Sequence, residues 1–117
     1  MVEARLPTLD RIKVILGHLL PILTKTQYKG NSGKVAVVGG SIEYTGAPYY
    51  AAMASLRAGC DLSFVVCPAE ALIPIKSYSP ELIVYSWTGP ESFSASSGAQ
   101  LKIARAFVVG PGLGRHT

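Results

Sequence analysis

The sequence predicts an α/β fold on a parallel sheet of about four strands with helices on both faces, and three observations carry that expectation. Four short apolar runs alternate with segments of helical spacing, the βαβ succession that a parallel sheet requires. The runs are continuous rather than alternating, as expected of strands covered on both faces. Two of them pass directly into glycines, the residue that lets a βα turn reverse tightly and come close to a ligand.

The elements follow in order. Leu9, Ile12, Ile15, Leu16, Leu19, Leu20 and Leu23 recur at helical spacing behind Thr8, an expected N-cap, and Pro21 should end or kink that helix. A polar hinge covers Lys25 to Gly33. Lys34 to Val38 is short and β-branched, the first strand, and it meets Gly39-Gly40. Ala47 to Ala58 is an Ala-rich helix with Thr45 as its expected cap and Gly59 at its C-cap. Pro48 suits a first turn, where the missing N–H would have no partner anyway. Leu62 to Cys67 reads as the second strand. Ala69 to Lys76 reads as a short helix broken by Pro74, and Glu81 to Tyr85 as the third strand. Ser86 to Gln100, with five Ser and two Gly, is loop-like. Ala99 to Ala104 is a short helical piece, and Ala106 to Val109 is the fourth strand.

Composition narrows the function. With 49% hydrophobic and 15% charged residues the chain of 117 residues is globular and holds one domain. Its net charge of +4 comes from eleven scattered basic residues without a block, so no nucleic-acid partner is expected. Cys60 and Cys67 fit neither a redox pair nor a zinc site and read as buried thiols of a reducing compartment. Glu3 stands early and no apolar signal core follows, and no segment approaches the ~18 continuous apolar residues of a membrane span. A cytoplasmic protein with no membrane partner is therefore expected, and a mitochondrial form and homo-oligomerisation are left open.

The chemistry lies in the glycine turns. In a parallel sheet, Gly39-Gly40-Ser41 and Gly110-Pro111-Gly112-Leu113-Gly114 both project from the carboxyl edge, where ligands of open α/β sheets collect. Either turn could also do no more than close its βα unit. Thr45-Gly46-Ala47 opens the following helix and offers amides to an anion, typically a phosphate, though a plain cap would look the same. The Rossmann glycine fingerprint is absent, and Gly33-Lys34 is followed by Val35 instead of the Ser or Thr of a P-loop. Asp10, Glu43, Asp61, Glu70, Glu81, Glu91, His18 and His116 form no triad or metal-ligand spacing, so no catalytic residue and no metal site is assigned.

Six segments in one register carry a resemblance. They are Gln27 to Lys34, Val37 to Ser41, Glu43 to Tyr49, Ala58 to Leu62, Tyr78 to Leu82 and Val109 to Arg115. Together they resemble the ATP-dependent NAD(P)H-hydrate dehydratases, from about Lys25 onwards. The resemblance implies a ribokinase-like fold. It also implies an activity: ATP phosphorylates the ring hydroxyl of the S epimer of hydrated NADH or NADPH, and loss of phosphate regenerates the cofactor and leaves ADP. Implied with it are ATP and Mg2+, the hydrated dinucleotide as small-molecule substrate, and Ala47 and the Gly110, Gly112, Gly114 loop as positions facing it. Gly39, Gly40, Thr45 and Gly46 join them from the local reading. In that family the ATP site and a Gly-x-Gly-Asp base lie beyond such a segment. Gly59-Cys60-Asp61 is not that motif. Residues 1–117 are thus expected to be the N-terminal half of a single dehydratase domain, inactive in isolation. The alternatives are a vitamin or sugar kinase of the same superfamily and a non-catalytic fragment.

Overall fold

The computed structural model describes residues 8–20, 24–26, 28–29, 31–89 and 98–115. In chain order these form α1 (Leu9–Leu19), β1 (Lys34–Val38), α2 (Gly46–Arg57), β2 (Leu62–Pro68), α3 (Ala69–Tyr78), β3 (Ile83–Trp87), α4 (Gly98–Ile103) and β4 (Ala106–Val109). All pairings are parallel and the strand order is β3-β2-β1-β4. Steps from β1 to β2 to β3 run one way across the sheet and the step to β4 runs back. α2 packs on β1 and β2 and α3 on β2 and β3, with both helices contributing to one core, and α4 lies in the return connection to β4.

Pleating sorts the strand residues between the two faces. Val37, Val65, Cys67 and Val84 point to the helix side and form one core with Ala52 of α2, Ala71 and Ile75 of α3, and Leu82. Ala52 and Ala71 are fully buried, and their small side chains bring both helices close to the sheet. On the opposite face Ala36, Phe64 and Val66 are also buried, with the Phe64 and Tyr85 rings 6.3 Å apart. The continuous apolar runs of β1 and β2 are thus explained, since both of their faces are dry.

Several local expectations need correction. Thr8 stands at the start of α1 but makes no side-chain capping bond, and α1 carries no buried residue, so its apolar stripe does not join this core. Pro74 does not break α3, which continues to Tyr78, because Ala71 and Ile75 on either side of it are anchored in the core. One lost backbone bond is outweighed by two buried contacts. The third strand runs Ile83–Trp87, so Ser86 and Trp87 belong to the sheet and not to the following loop. Cross-strand pairing of Cys67 with Ser86 and Pro68 with Trp87 extends it that far. Cys67 is buried as expected, whereas Cys60 is only half-buried.

The α2 terminus matches its reading in detail. Cys60 N donates to Ser55 O at 3.2 Å and Gly59 N to Leu56 O at 3.1 Å, a Schellman closure with Gly59 at φ 110°. Asp61 then ties the polar hinge down. Its Oδ2 accepts from Ser32 N at 2.8 Å and its own amide donates to Gly33 O at 3.0 Å, a structural duty that takes it out of the list of acid–base candidates.

Candidate functional site

Both glycine turns leave the carboxyl ends of neighbouring strands, β1 and β4, and the structure joins them directly. Gly110 N donates to Val38 O at 3.0 Å, continuing the β1–β4 ladder into the loops, and Gly40 N donates to Pro111 O at 2.9 Å. Gly39 N donates to Val66 O at 3.0 Å and holds the same turn to β2. The approach is so close that a Cβ on Gly39 would collide with the Pro111 carbonyl oxygen. Gly112 (φ 68°) sits against Tyr44, where a Cβ would lie 2.7 Å from the Tyr44 carbonyl oxygen and 3.3 Å from Pro48 Cδ. These glycines are used for contact between the loops as well as for any contact with a ligand.

The first loop closes on itself between Ser41 and Tyr44. Ser41 Oγ accepts from Tyr44 N at 3.2 Å and Ser41 N donates to Tyr44 O at 3.3 Å. Gly114 packs on that buried serine, with Ser41 Oγ 3.3 Å and Glu43 Oε2 3.9 Å from where its Cβ would be. A hollow of about 270 Å³ opens beside the joined loops, lined among others by Gly40, Ser41, Glu43, Glu70, Trp87 and Leu113. Its walls are largely apolar and two carboxylates stand at its rim.

Thr45 behaves differently from its reading as a cap. Its backbone is αR (φ −93°, ψ −22°) and its side chain makes no bond to the helix. Instead Thr45 Oγ1 lies 2.6 Å from the Tyr78 hydroxyl at the end of α3. Pro48 has no N–H, and among the described residues no acceptor meets the Gly46 or Ala47 amide. The start of α2 is therefore open, with its partial positive charge unshielded by any side-chain oxygen of its own.

Of the residues singled out from sequence, Gly39, Gly40, Thr45, Gly46, Ala47, Gly110, Gly112 and Gly114 all lie at this edge. Gly39 and Gly40 form its buried base, and Ala47 and Gly110 are exposed. His18 lies on exposed α1, while Glu91 and His116 fall outside the described residues. Among the described residues no three of His, Cys, Asp and Glu are grouped to hold a metal ion. Burial pushes the Cys67 thiol up from 9.0 to about 11, which keeps it protonated and unreactive. Sequence reasoning missed the Thr45–Tyr78 bond and the Pro111 carbonyl, since neither leaves a local pattern.

The family model described as NAD(P)H-hydrate dehydratase matches residues 35–117. The chain belongs to the NAD(P)H-hydrate dehydratase family. Among similar proteins, the ATP-dependent (S)-NAD(P)H-hydrate dehydratase of Entamoeba histolytica is 48% identical over 104 residues, covering 89% of this chain and 35% of that protein. That of Emericella nidulans is 50% identical over 109 residues, covering 83% of this chain and 30% of that protein. The chain thus spans about a third of the length of the curated NAD(P)H-hydrate dehydratases it matches. A ribokinase-like superfamily protein from Enterococcus faecalis superposes with TM-score 0.66 at 25% identity, over 90% of this chain and 36% of that one. A hypothetical protein from Streptococcus mutans does so with TM-score 0.70 at 24% identity, over 88% and 36%. The ribokinase-like architecture expected of an NAD(P)H-hydrate dehydratase is therefore the one observed. No described helix is long and apolar enough to cross a membrane.

Proposed function

We propose that this chain supplies the dinucleotide side of an ATP-dependent enzyme that dehydrates the S epimer of hydrated NADH or NADPH and so restores the reduced cofactor. The observation that carries the reading is the joining of the two glycine turns at the carboxyl edge, beside an uncapped helix start, within the segment that matches the family. Open amides at Gly46 and Ala47 suit a phosphate of the dinucleotide, and the Gly110 to Gly114 loop lets its backbone come close. Relatives at 48% and 50% identity carry the dehydratase name, which weighs against the kinase alternative.

In this reading ATP is the co-substrate: phosphoryl transfer to the ring hydroxyl makes it a leaving group, and loss of phosphate forms the ring double bond. Mg2+ would accompany ATP, but the donor groups described here do not form a site for it and no step is assigned to it on this chain. What these residues do is bind and orient the substrate. A cytoplasmic site of action without nucleic-acid or membrane partners completes the reading, in keeping with the scattered charge.

Calorimetric titration of the chain with the hydrate of NADPH tests it. Saturable binding that is lost in Gly112→Val is expected. No heat above buffer at millimolar hydrate overturns the reading, and preference for a vitamin or a sugar overturns it in favour of a kinase.

A further inference from the structure

The segment Tyr78 to Leu82 is part of the family resemblance, yet the reading above gives it no task. Its geometry supplies one. Ser79, extended and buried, ends α3, and its Oγ accepts from Glu81 N at 3.2 Å, while Leu82 is embedded in the core. The chain after Tyr78 is thus anchored at three successive points. The Tyr78 ring packs edge-to-face on Tyr49 of α2, centroids 5.2 Å apart, and Tyr49 packs likewise on Tyr50 at 5.4 Å. Two constraints, a fixed backbone and a ring contact, decide where the Tyr78 hydroxyl lies, and it lies 2.6 Å from Thr45 Oγ1.

We propose that Tyr78 is a positioning residue for dinucleotide binding: through Thr45 it holds the Thr45-Gly46-Ala47 turn in the conformation that leaves the first amides of α2 open to the substrate. This rests on the function proposed above. The Thr45 side chain is directed to Tyr78 and makes no capping bond to the helix, and its backbone is αR. A hollow lined by Gly46, Tyr49, Tyr50 and Tyr78 lies against the same turn, so the Tyr78 side chain borders it. The Tyr78 hydroxyl acts through Thr45 and on the amides, with no part in bond making.

The test is a titration of the chain with NADPH, followed by nicotinamide fluorescence, in wild type, Tyr78→Phe, Thr45→Val, Thr45→Ser and the double variant Tyr78→Phe/Thr45→Val. One hydrogen bond of this kind corresponds to a loss of about three- to tenfold in affinity when either partner is removed. Tyr78→Phe and Thr45→Val should each weaken binding by that factor, and the double variant should be no worse than either single one, because both remove the same bond. Thermal melting of each variant confirms equal folded fractions, so a purely structural role would leave the titrations unmoved. Tyr78→Phe binding as tightly as wild type, or a double variant whose losses multiply, overturns the proposal and leaves the site reading standing. Absence of saturable NADPH binding in wild type overturns both. Should Tyr78→Phe fail to fold, the Thr45 pair decides: tighter binding by Thr45→Ser than by Thr45→Val supports the proposal, and equal binding overturns it.

Discussion

The Gly40 amide donates to the Pro111 carbonyl oxygen at 2.9 Å, and this bond makes one site of two turns that belong to different strands. Pro111 cannot donate, so its carbonyl is the group it brings to the contact. The same proline thereby sets how near the second loop comes to Gly39.

Gly39→Ala should be severely destabilising. Its Cβ would meet the Pro111 carbonyl oxygen, a backbone atom held by the bonds Gly40 N to Pro111 O and Gly110 N to Val38 O. A loss of about 2–4 kcal/mol is expected, in the range of strained or overpacked buried sites. Gly110→Ala is the comparison. Its φ of 121° strains an alanine, but nothing lies within 4 Å of the new atom, and about 1–2 kcal/mol should suffice. Urea unfolding of the two variants checks the order.

Phe64→Ala should cost about 3–5 kcal/mol, the usual loss when a buried aromatic leaves a cavity. Phe64 is 2% exposed on the sheet face opposite α2 and α3, against Tyr85. Val109→Ala, at 69% exposure on β4, should cost less than 1 kcal/mol by the same measurement.

The two thiols should differ in reactivity and in their effect on pH dependence. Alkylation of the native chain should modify half-buried Cys60 well before Cys67. Burial raises Cys67 from 9.0 to about 11, so in that interval the unfolded chain has lost a proton that the native chain keeps. Fewer protons on the unfolded state means that stability falls as pH rises from 9 towards 11, by up to about 2–3 kcal/mol, and is unaffected by this group below pH 9. Unfolding curves at pH 8, 9 and 10 should show a steeper decline in wild type than in Cys67→Ala.

β4 is an edge strand with all four residues exposed, including Phe107 at 53% and Val109 at 69%. An apolar edge of this kind pairs with other chains. The purified chain should associate with rising concentration in sedimentation velocity, and Val109→Lys should shift it towards monomer. A wild-type chain that stays monomeric, with Val108 and Val109 strongly protected from hydrogen exchange, would count against this.

Much of the fold was legible because its strands are short runs of β-branched residues with dry surroundings. Ala106 to Val109 and Lys34 to Val38 are strands at the boundaries read from sequence. Legibility failed where tertiary contacts override local preference. Pro74 reads as a breaker, yet core anchoring at Ala71 and Ile75 carries the helix through it. Ser86-Trp87 reads as loop because of the Ser, Thr and Gly around it, and only pairing with β2 makes it strand. At the site, glycines after strands could be picked out by their spacing. The bond between Thr45 and Tyr78 could not, because nothing in either neighbourhood refers to the other.

The order β3-β2-β1-β4 has a consequence for assembly in time. The first three strands pair with sequence neighbours through short crossovers and can form as soon as they exist. β4 has to come back across the whole sheet to reach β1, and such long-range closure is slow and late. Until it arrives, Gly39 and Gly40 face no second loop and the edge holds no site. On a ribosome, the joined pair of turns, and with it the dinucleotide binding proposed above, would therefore appear only with the segment that contains Pro111, after the rest of the sheet has already formed.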